Sequence, residues 1–304
     1  MPISCHSVMA SDRPQKSPLQ GLSRASQRLE NRLRKRVAQA IQDFSLIEAG
    51  DRILVALSGG KDSYTLFALL RQLQARAPIP FELCAVHLDQ KQPGFPTAIL
   101  AGYLAHENVP HAIIEQDTYR VVARVIPEGR NRCGLCSRLR RGALYEWARR
   151  HGYNKIALGH HQDDLLETFF LNLFHGGRLA TMPPKLLSDD GRVVVIRPLA
   201  YCEEREIARY ARAKTFPVIP CKVCGSQDRL ERVAMKRMIE AWRREAPERI
   251  ASIARALGQV SPSHLLDRSL WDFAGLIAQG PTDPEEHLET ETGTPSFIRE
   301  VESS

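Results

Sequence analysis

The stretch ILVALSGGKDSYTLFALL, residues 53–70, decides the fold. It opens with a short apolar run, Ile53–Leu57, of the kind found in the buried strand of a parallel sheet. From Tyr64 onward apolar residues return at helical spacing. Between the two lies SGGKDS, residues 58–63, whose glycines let the backbone turn sharply and approach a ligand closely. The stretch therefore predicts a strand, a glycine turn and a helix, with a ligand at the turn.

The turn has the chemistry of an anion site. Free N–H groups and the dipole at a helix N-terminus attract anions. Ser58 and Ser63 add hydroxyl donors and Lys61 adds a point charge, while Asp62 can hold Mg²⁺ or cap the helix. The pattern is not G-x-x-x-x-G-K-[ST], so it is not a Walker loop. An ordinary turn between strand and helix, capped by Ser or Asp, is the alternative to an anion site.

Strands and helices alternate over the rest of the chain, which predicts an α/β fold with a mostly parallel sheet and helices on both faces. Predicted strands span 52–57, 81–88, 111–115, 155–158 and 192–198, and predicted helices span 27–44, 64–75, 97–108, 137–151, 163–174, 203–214, 227–244 and 248–257. We expect a disordered lead-in at 1–27, and one catalytic domain at 28–278 with a basic N-terminal helix and C-terminal helices. An acidic disordered tail at 279–304 completes the predicted organisation.

The composition and charge bound the class of protein. The chain has 304 residues, 43% hydrophobic and 25% charged, as in soluble globular proteins. Residues 1–282 carry 41 bases and 28 acids, and the remaining tail carries seven acids and one base. A basic body suits a polyanionic partner such as nucleic acid, and solvated arginine faces explain it equally well. Because no apolar run reaches bilayer length and no signal segment is present, we expect a cytoplasmic protein without membrane association.

Two further strand ends carry polar residues. His87 lies near the end of the second strand, and the box GHHQDD, residues 159–164, follows the fourth. Since ligands bind at the carboxyl edge of a parallel sheet, these side chains can contact a nucleotide, Mg²⁺ or the reacting centre. The alternative makes Asp163 or Asp164 a helix cap and leaves His161 solvated.

The seven cysteines include two C-x-x-C pairs. Cys133 and Cys136 open a predicted helix, and Cys221 and Cys224 begin 85 residues beyond Cys136. An odd count in a chain without a leader argues against disulfides. Two such pairs can hold a Cys₄ zinc ion or an iron–sulfur cluster, and spacing alone favours zinc. Cys84 lies in an apolar strand and is a predicted core residue.

Six motifs together resemble one family. SGGKDS resembles the PP-loop of the ATP pyrophosphatases, whose fold is adenine nucleotide alpha-hydrolase-like. With CGLCSRLRRG, LGHHQDDLLETFFLNLFHGG, MPPKLLSDDG, IRPLAY and PCKVCGSQ it resembles the tRNA 2-thiocytidine synthetases, the PP-loop sulfurtransferases that act on cytidine 32. The resemblance runs from about Gln27 to about Leu266. It implies ATP-dependent 2-thiolation, in which the cytidine C2 oxygen is adenylated and sulfur is then transferred through a [4Fe–4S] cluster.

The resemblance also implies the site residues and the partners. Three cysteines hold the cluster, namely Cys133, Cys136 and Cys224, and Cys221 is not needed. The nucleotide contacts are Ser58, Gly59, Gly60, Lys61, Asp62, Ser63, His87, Gly159 and His160, and the catalytic residues are Lys61, Asp62 and Asp164. Mg²⁺ accompanies ATP as the substrate. The implied partners are tRNA, a cysteine desulfurase as sulfur donor, and a second copy of the chain in a homodimer.

Seven arginines between residues 130 and 150 suggest an RNA contact, with Arg138, Arg140 and Arg141 as the candidates. A second basic stripe at 229–244 has interleaved acids and is predicted to be a solvated helix face. Two other functions are compatible with parts of this pattern. One is another acceptor, as in tRNA uridine thiolation or in lysidine synthesis, and the latter needs no cluster. The other is a cysteine-ligated RNA-binding or redox-sensing protein with a vestigial nucleotide site, which the intact Lys61, Asp62 and Ser63 disfavour.

Overall fold

A six-stranded sheet forms the centre of the molecule, in the order β3-β2-β1-β4-β6-β5. The computed structural model describes residues 23–127, 130, 132–219 and 227–278. The strands are β1 (Arg52–Ala56), β2 (Glu82–Asp89), β3 (His111–Glu115), β4 (Lys155–Ala157), β5 (Lys185–Leu187) and β6 (Val194–Ile196). Every pair is parallel except β5 with β6. The predicted mostly parallel sheet is confirmed.

Helices lie on both faces of this sheet. They are α1 (Arg24–Asp43), α2 (Lys61–Gln74), α3 (Thr97–His106), α4 (Thr118–Val125), α5 (Cys133–Arg150), α6 (Gln162–His175), α7 (Glu204–Ala213), α8 (Gln227–Glu245) and α9 (Pro247–Ala256). Within the described residues no helix has the length and hydrophobicity needed to cross a membrane. Packing divides the chain into two compact units, one ending at Ala254 and the other beginning at Arg255. The second unit contains a short 3₁₀ helix, Pro262–His264.

Side chains of β1 point alternately to the two faces of the sheet, and each face packs in its own hydrophobic cluster. Ile53 and Val55 point to one face and pack in a cluster with residues of α1, α2 and α7. Leu54 points to the other face and packs in a cluster with Ala148 of α5. Because both faces of β1 are covered, the strand is apolar from Ile53 to Ala56, as the sequence predicted.

Three helices begin three or four residues earlier than predicted. α1 begins at Arg24 instead of Gln27, and the other two differences matter for the site. α2 begins at Lys61 instead of Tyr64, and α5 begins at Cys133 instead of Ser137. The first turn of α2 is polar and that of α5 is Cys-Gly-Leu-Cys, so neither continues the apolar periodicity of its helix and the pattern did not reveal it. Lys61 and the pair Cys133 and Cys136 are therefore residues of helix first turns. The amphipathic helix α4 and the three-residue strand β5 were not predicted.

Candidate active site at the carboxyl edge of the sheet

The SGGKDS turn links β1 to the N-terminus of α2, as predicted. Gly60 is the N-cap of α2 and no side chain caps the helix. Ser58 and Ser63 hydrogen-bond to each other across the turn, since the Ser58 nitrogen and Oγ each lie 3.3 Å from Ser63 Oγ. Gly59 has a φ of +83°, and a Cβ there would lie 2.9 Å from Ile219 Cδ1. Only glycine fits this position, and the helix N-terminus stays open to an anion.

Gly159 brings the β4–α6 connection against this turn. A Cβ at Gly159 would lie 3.1 Å from the backbone carbon of Asp62 and 3.1 Å from the nitrogen of Ser63. The missing side chain therefore lets the GHHQDD box approach the first turn of α2. Two motifs about 100 residues apart in sequence form one surface at the carboxyl edge of the sheet.

Lys61 lies in a chain of charges that extends from the turn to α8. Its Nζ donates to Asp62 Oδ2 at 3.1 Å and pairs with Glu204 Oε1 at 3.1 Å. The same Glu204 carboxylate pairs with Lys236 Nζ at 2.7 Å and 2.6 Å. Burial opposes the charge on Glu204, but hydrogen bonds from Lys236 and contact with Lys61 outweigh it and lower its pKa to about 2. Glu204 is therefore ionised at physiological pH.

These charges line a cavity of about 270 Å³. Its lining residues are Lys61, Asp62, His161, Asp164, Glu167, Glu204, Arg232, Val233 and Lys236. Asp62 Oδ1 is buried and accepts no hydrogen bond of good geometry, although Lys61 Nζ lies 3.1 Å away. The structure brings all three predicted catalytic residues, Lys61, Asp62 and Asp164, together around this cavity.

Three residues of the GHHQDD box, His161, Asp163 and Asp164, have different roles. His161 is the N-cap of α6, and its Nδ1 accepts from the Asp164 N–H at 3.3 Å, while Asp164 Oδ2 accepts from the His161 N–H at 3.0 Å. Asp163 accepts from the Glu204 N–H at 2.7 Å and pairs with Arg243 of α8. The alternative that left His161 solvated is wrong, since His161 is 4% exposed. Asp164 both caps α6 and faces the cavity.

Two neutral imidazoles lie near the same edge. His87 Nδ1 lies 2.8 Å from the Leu57 carbonyl oxygen, so this nitrogen donates and the buried Nε2 is left as an unpaired acceptor. Burial lowers the pKa of His87, and the charge of Arg140 adds to the effect. Burial also lowers the pKa of His160 to about 4, and its Nδ1 has no hydrogen-bond partner in the described residues. Both rings are neutral at physiological pH and can hydrogen-bond a ligand.

Three bases of the stripe on α8 pair with acids of the site. Arg232 lies 3.4 Å from Glu167, and Lys236 and Arg243 contact Glu204 and Asp163 as described above. The prediction of a solvated helix face is wrong for Arg243, whose side chain is 12% exposed, whereas the side chains of Arg232 and Lys236 stay 46% and 41% exposed. Burial and the neighbouring Asp164 raise the pKa of Glu167 to about 7.

One buried cation lies at the end of β6. Arg197 is 7% exposed, its Nη1 donates to the Pro183 carbonyl, and its Nε has no partner. No carboxylate pairs with it in the part of the chain that the structure describes. Burial lowers its pKa.

The cysteines are described only in part. Cys136 lies in the first turn of α5, and its Sγ lies 3.3 Å from Gln90 Oε1, just beyond β2. Cys133 is the first residue of the same helix, three positions before Cys136. Cys221 and Cys224 lie outside the described residues. Among the described residues no three His, Cys, Asp or Glu side chains form a metal-binding group. Cys84 is buried, as predicted.

The candidate RNA-binding arginines are exposed on α5. Arg138, Arg140 and Arg141 show no acidic partner within the described residues, and Arg141 donates to Ser137 Oγ at 2.8 Å. Arg149 and Arg150, further along the helix, both pair with Glu146. The uncompensated charge therefore lies at the end of α5 that carries the cysteines.

The sequence missed Glu204, Glu167, Arg197 and Lys236. Glu204 and Arg197 follow β6, which ends at the same edge as β1, β2 and β4, so the rule that polar residues at strand ends form the site would have found them. Lys236 has no such signal because it reaches the site through the packing of α8 on α6.

Comparison with known proteins places the chain in a family. A family model for the PP-loop domain matches residues 29–219. The tRNA-cytidine(32) 2-sulfurtransferase of Stenotrophomonas maltophilia (strain R551-3) is 62% identical over 253 residues, 83% of this chain and 85% of that protein. The Methylococcus capsulatus protein of the same name is 59% identical over 249 residues, covering 82% and 86% of the two chains.

A solved structure shares the fold. It is the U34-tRNA thiolase NcsA from Methanococcus maripaludis with its [4Fe–4S] cluster, with a TM-score of 0.62 and 19% identity. The match covers 78% of this chain and 81% of that one. At this identity the likeness shows the fold alone. By its sequence relatives and its PP-loop domain, this chain belongs to the tRNA-cytidine(32) 2-sulfurtransferase family.

Proposed function

We propose that the protein uses ATP to replace the C2 oxygen of cytidine 32 in tRNA with sulfur. The observation that carries the proposal is the open N-terminus of α2, where Lys61 and Asp62 line a cavity shared with Asp164 and the buried Asp62 Oδ1 accepts no hydrogen bond within the described residues. Backbone N–H groups and a lysine suit the phosphates of ATP. Membership of a tRNA-sulfurtransferase family supplies the acceptor.

The first half-reaction forms an adenylated base. The SGGKDS turn holds the β- and γ-phosphates and leaves the α-phosphorus accessible. The C2 oxygen of cytidine attacks the α-phosphorus, the bond from that phosphorus to the bridging oxygen breaks, and pyrophosphate leaves. Lys61 stabilises the charge that accumulates on the phosphate oxygens. A desulfurase partner supplies the sulfur as a persulfide, and a thiol reductant releases it as hydrosulfide with formation of a disulfide. The hydrosulfide then attacks C2, the C2–O bond breaks, and AMP leaves.

Magnesium fits the oxygen donors of the cavity. Mg²⁺ prefers oxygen ligands and often takes one or two carboxylates together with phosphates and waters. Asp62 offers a buried oxygen with no hydrogen bond, and Asp164 lies on the same cavity. These two residues would hold the ion and neutralise part of the charge of ATP.

A [4Fe–4S] cluster fits the thiol pair at the start of α5. Cys133 and Cys136 would supply two ligands from the first turn of α5, and Cys224 the third. A cluster with three protein thiolates keeps one iron open, which would provide a place for the sulfur. We propose that the protein acts in the cytoplasm as a homodimer.

The test is pyrophosphate release from ATP, measured with tRNA that has cytidine 32 and with a U32 variant of the same tRNA. Release that requires cytidine 32, together with 2-thiocytidine in the digested RNA, supports the proposal. Equal release with both RNAs favours uridine thiolation or another acceptor. No release with either RNA favours the vestigial nucleotide site.

We predict that the exposed arginines of α5 bind tRNA phosphates. Replacing Arg138, Arg140 and Arg141 together with alanine should weaken tRNA binding and reduce the slope of log K against log salt by about 2, since each released phosphate contact contributes about 0.7–0.9. The measurement is tRNA affinity over a salt series. The matched control replaces Arg149 and Arg150, which are already paired with Glu146 and should change the slope little. An unchanged slope in the triple variant would contradict the assignment.

A further inference from the structure

The structure assigns a second phosphate-binding cation to the site, Lys236 of α8, and makes Glu204 the anion that ATP displaces. This inference rests on the proposed function and concerns how the phosphates are held. No sequence motif indicated a role for Lys236. The basic stripe to which it belongs was predicted to be solvated.

The first step is the geometry of the two ammonium groups. Glu204 Oε1 lies 3.1 Å from Lys61 Nζ and 2.7 Å from Lys236 Nζ, so one oxygen contacts both lysines. A phosphoryl group has oxygens at similar spacing and carries more charge than a carboxylate. Two lysines that can share one carboxylate oxygen can therefore share a phosphate, and the charge-assisted contacts are the strong kind.

The second step is the charge balance of the cavity. Four acids line it, Asp62, Asp164, Glu167 and Glu204, against the three cations Lys61, Arg232 and Lys236. A polyanion such as ATP cannot enter this arrangement unless the acids are neutralised or moved. Mg²⁺ can neutralise Asp62 and Asp164, while Glu204 remains on the two lysines that the phosphates need.

The third step is that Glu204 can leave without unfolding the site. Its backbone N–H is fixed by Asp163 Oδ2 at 2.7 Å, and its side chain is 20% exposed. Rotation of the side chain alone would release both lysines. Lys236 would stay in place, because α8 remains attached to α6 through Arg232 and Arg243.

The experiment measures the dissociation constant of an ATP analogue with a methylene group between the α- and β-phosphorus, with full-length protein and no tRNA. Lys236→Met keeps the aliphatic stem and should weaken binding about tenfold or more, and Lys236→Arg should restore most of it. Glu204→Gln removes the competing charge and should tighten binding several-fold, which a merely structural role would not produce. The controls are Arg237→Met, exposed on the next position of α8, and Glu203→Gln, which pairs with Arg36 and Arg205.

The outcomes separate this inference from the proposed function. If the unaltered protein does not bind the analogue, the proposed function fails. If it binds and Lys236→Met binds equally well, Lys236 is not a phosphate ligand and the inference is overturned. If Glu204→Gln binds the analogue equally well or more weakly, the phosphates do not displace Glu204 from the lysines and the inference is also overturned. Weaker binding by this variant that appears only in the presence of Mg²⁺ would instead make Glu204 a magnesium ligand. Circular dichroism of each variant checks the fold, and Glu204→Gln tests the inference even if Lys236→Met does not fold.

Discussion

Replacing Lys61 with alanine should reduce kcat/KM for tRNA thiolation by about 10²–10³-fold, the size expected when one preorganised donor to a developing charge is lost. Lys61 is the cation in the first turn of α2, beside the N–H groups that would bind phosphate. It is held there by Asp62 and Glu204 at 3.1 Å each. Burial disfavours its charge, but these two carboxylates raise its pKa, so it carries a full charge at physiological pH.

The fold should survive this substitution. Glu204 keeps Lys236 as its partner, and Asp62 keeps His161 Nε2 at 3.6 Å, so no carboxylate is left without a cation or hydrogen-bond donor nearby. The measurement is the rate of thiolation at several ATP concentrations, with thermal unfolding as the check on stability. Lys214→Ala is the matched control, since this lysine is 31% exposed against 28% for Lys61 and lies at the other end of α7 from Glu204. Near-normal rates for Lys61→Ala at saturating ATP would contradict the nucleotide assignment.

The core of the site could be predicted because its information is local. The residues of β1, the SGGKDS turn and α2 are consecutive, and their apolar periodicity changes from strand to helix within a few positions. The parallel sheet then brings the GHHQDD box to the same edge, which follows from strand order and not from any particular contact. Gly159 shows the physical reason for the close fit, since a side chain there would press on the backbone of Asp62.

The rest of the site could not be predicted, because it depends on packing between elements that are distant in the sequence. The sequence of α8 is that of a charged helix, and nothing in it shows which of its bases form ion pairs with acids. Arg232, Lys236 and Arg243 pair with Glu167, Glu204 and Asp163, whereas Arg237 has no acidic partner among the described residues. The starts of α2 and α5 were missed for a different reason, because the polar Lys-Asp-Ser turn of α2 and the Cys-Gly-Leu-Cys turn of α5 do not continue the apolar periodicity of their helices.

The cysteines carry the second large expected effect. Cys133→Ala, Cys136→Ala and Cys224→Ala should each lose the iron–sulfur cluster and thiolation, whereas Cys221→Ala should keep a substantial share of both. Cys133 and Cys136 are one turn apart at the start of α5, so both thiolates can bind one cluster. The choice of Cys224 over Cys221 follows the family resemblance, since both residues lie outside the described part of the chain.

Coordination chemistry explains why the count of cysteines decides between the two metals. Three thiolates leave one iron of a [4Fe–4S] cluster open, whereas four saturate it and restrict it to electron transfer or structure. A structural zinc ion takes all four thiolates and stays closed. The measurement is the iron, sulfide and zinc content and the visible absorption of the four single variants, purified without oxygen, with Cys84→Ser as the control for a buried thiol outside the site. If zinc is the native metal and Cys221→Ala empties the site as fully as Cys224→Ala, the protein must carry sulfur on a cysteine persulfide instead.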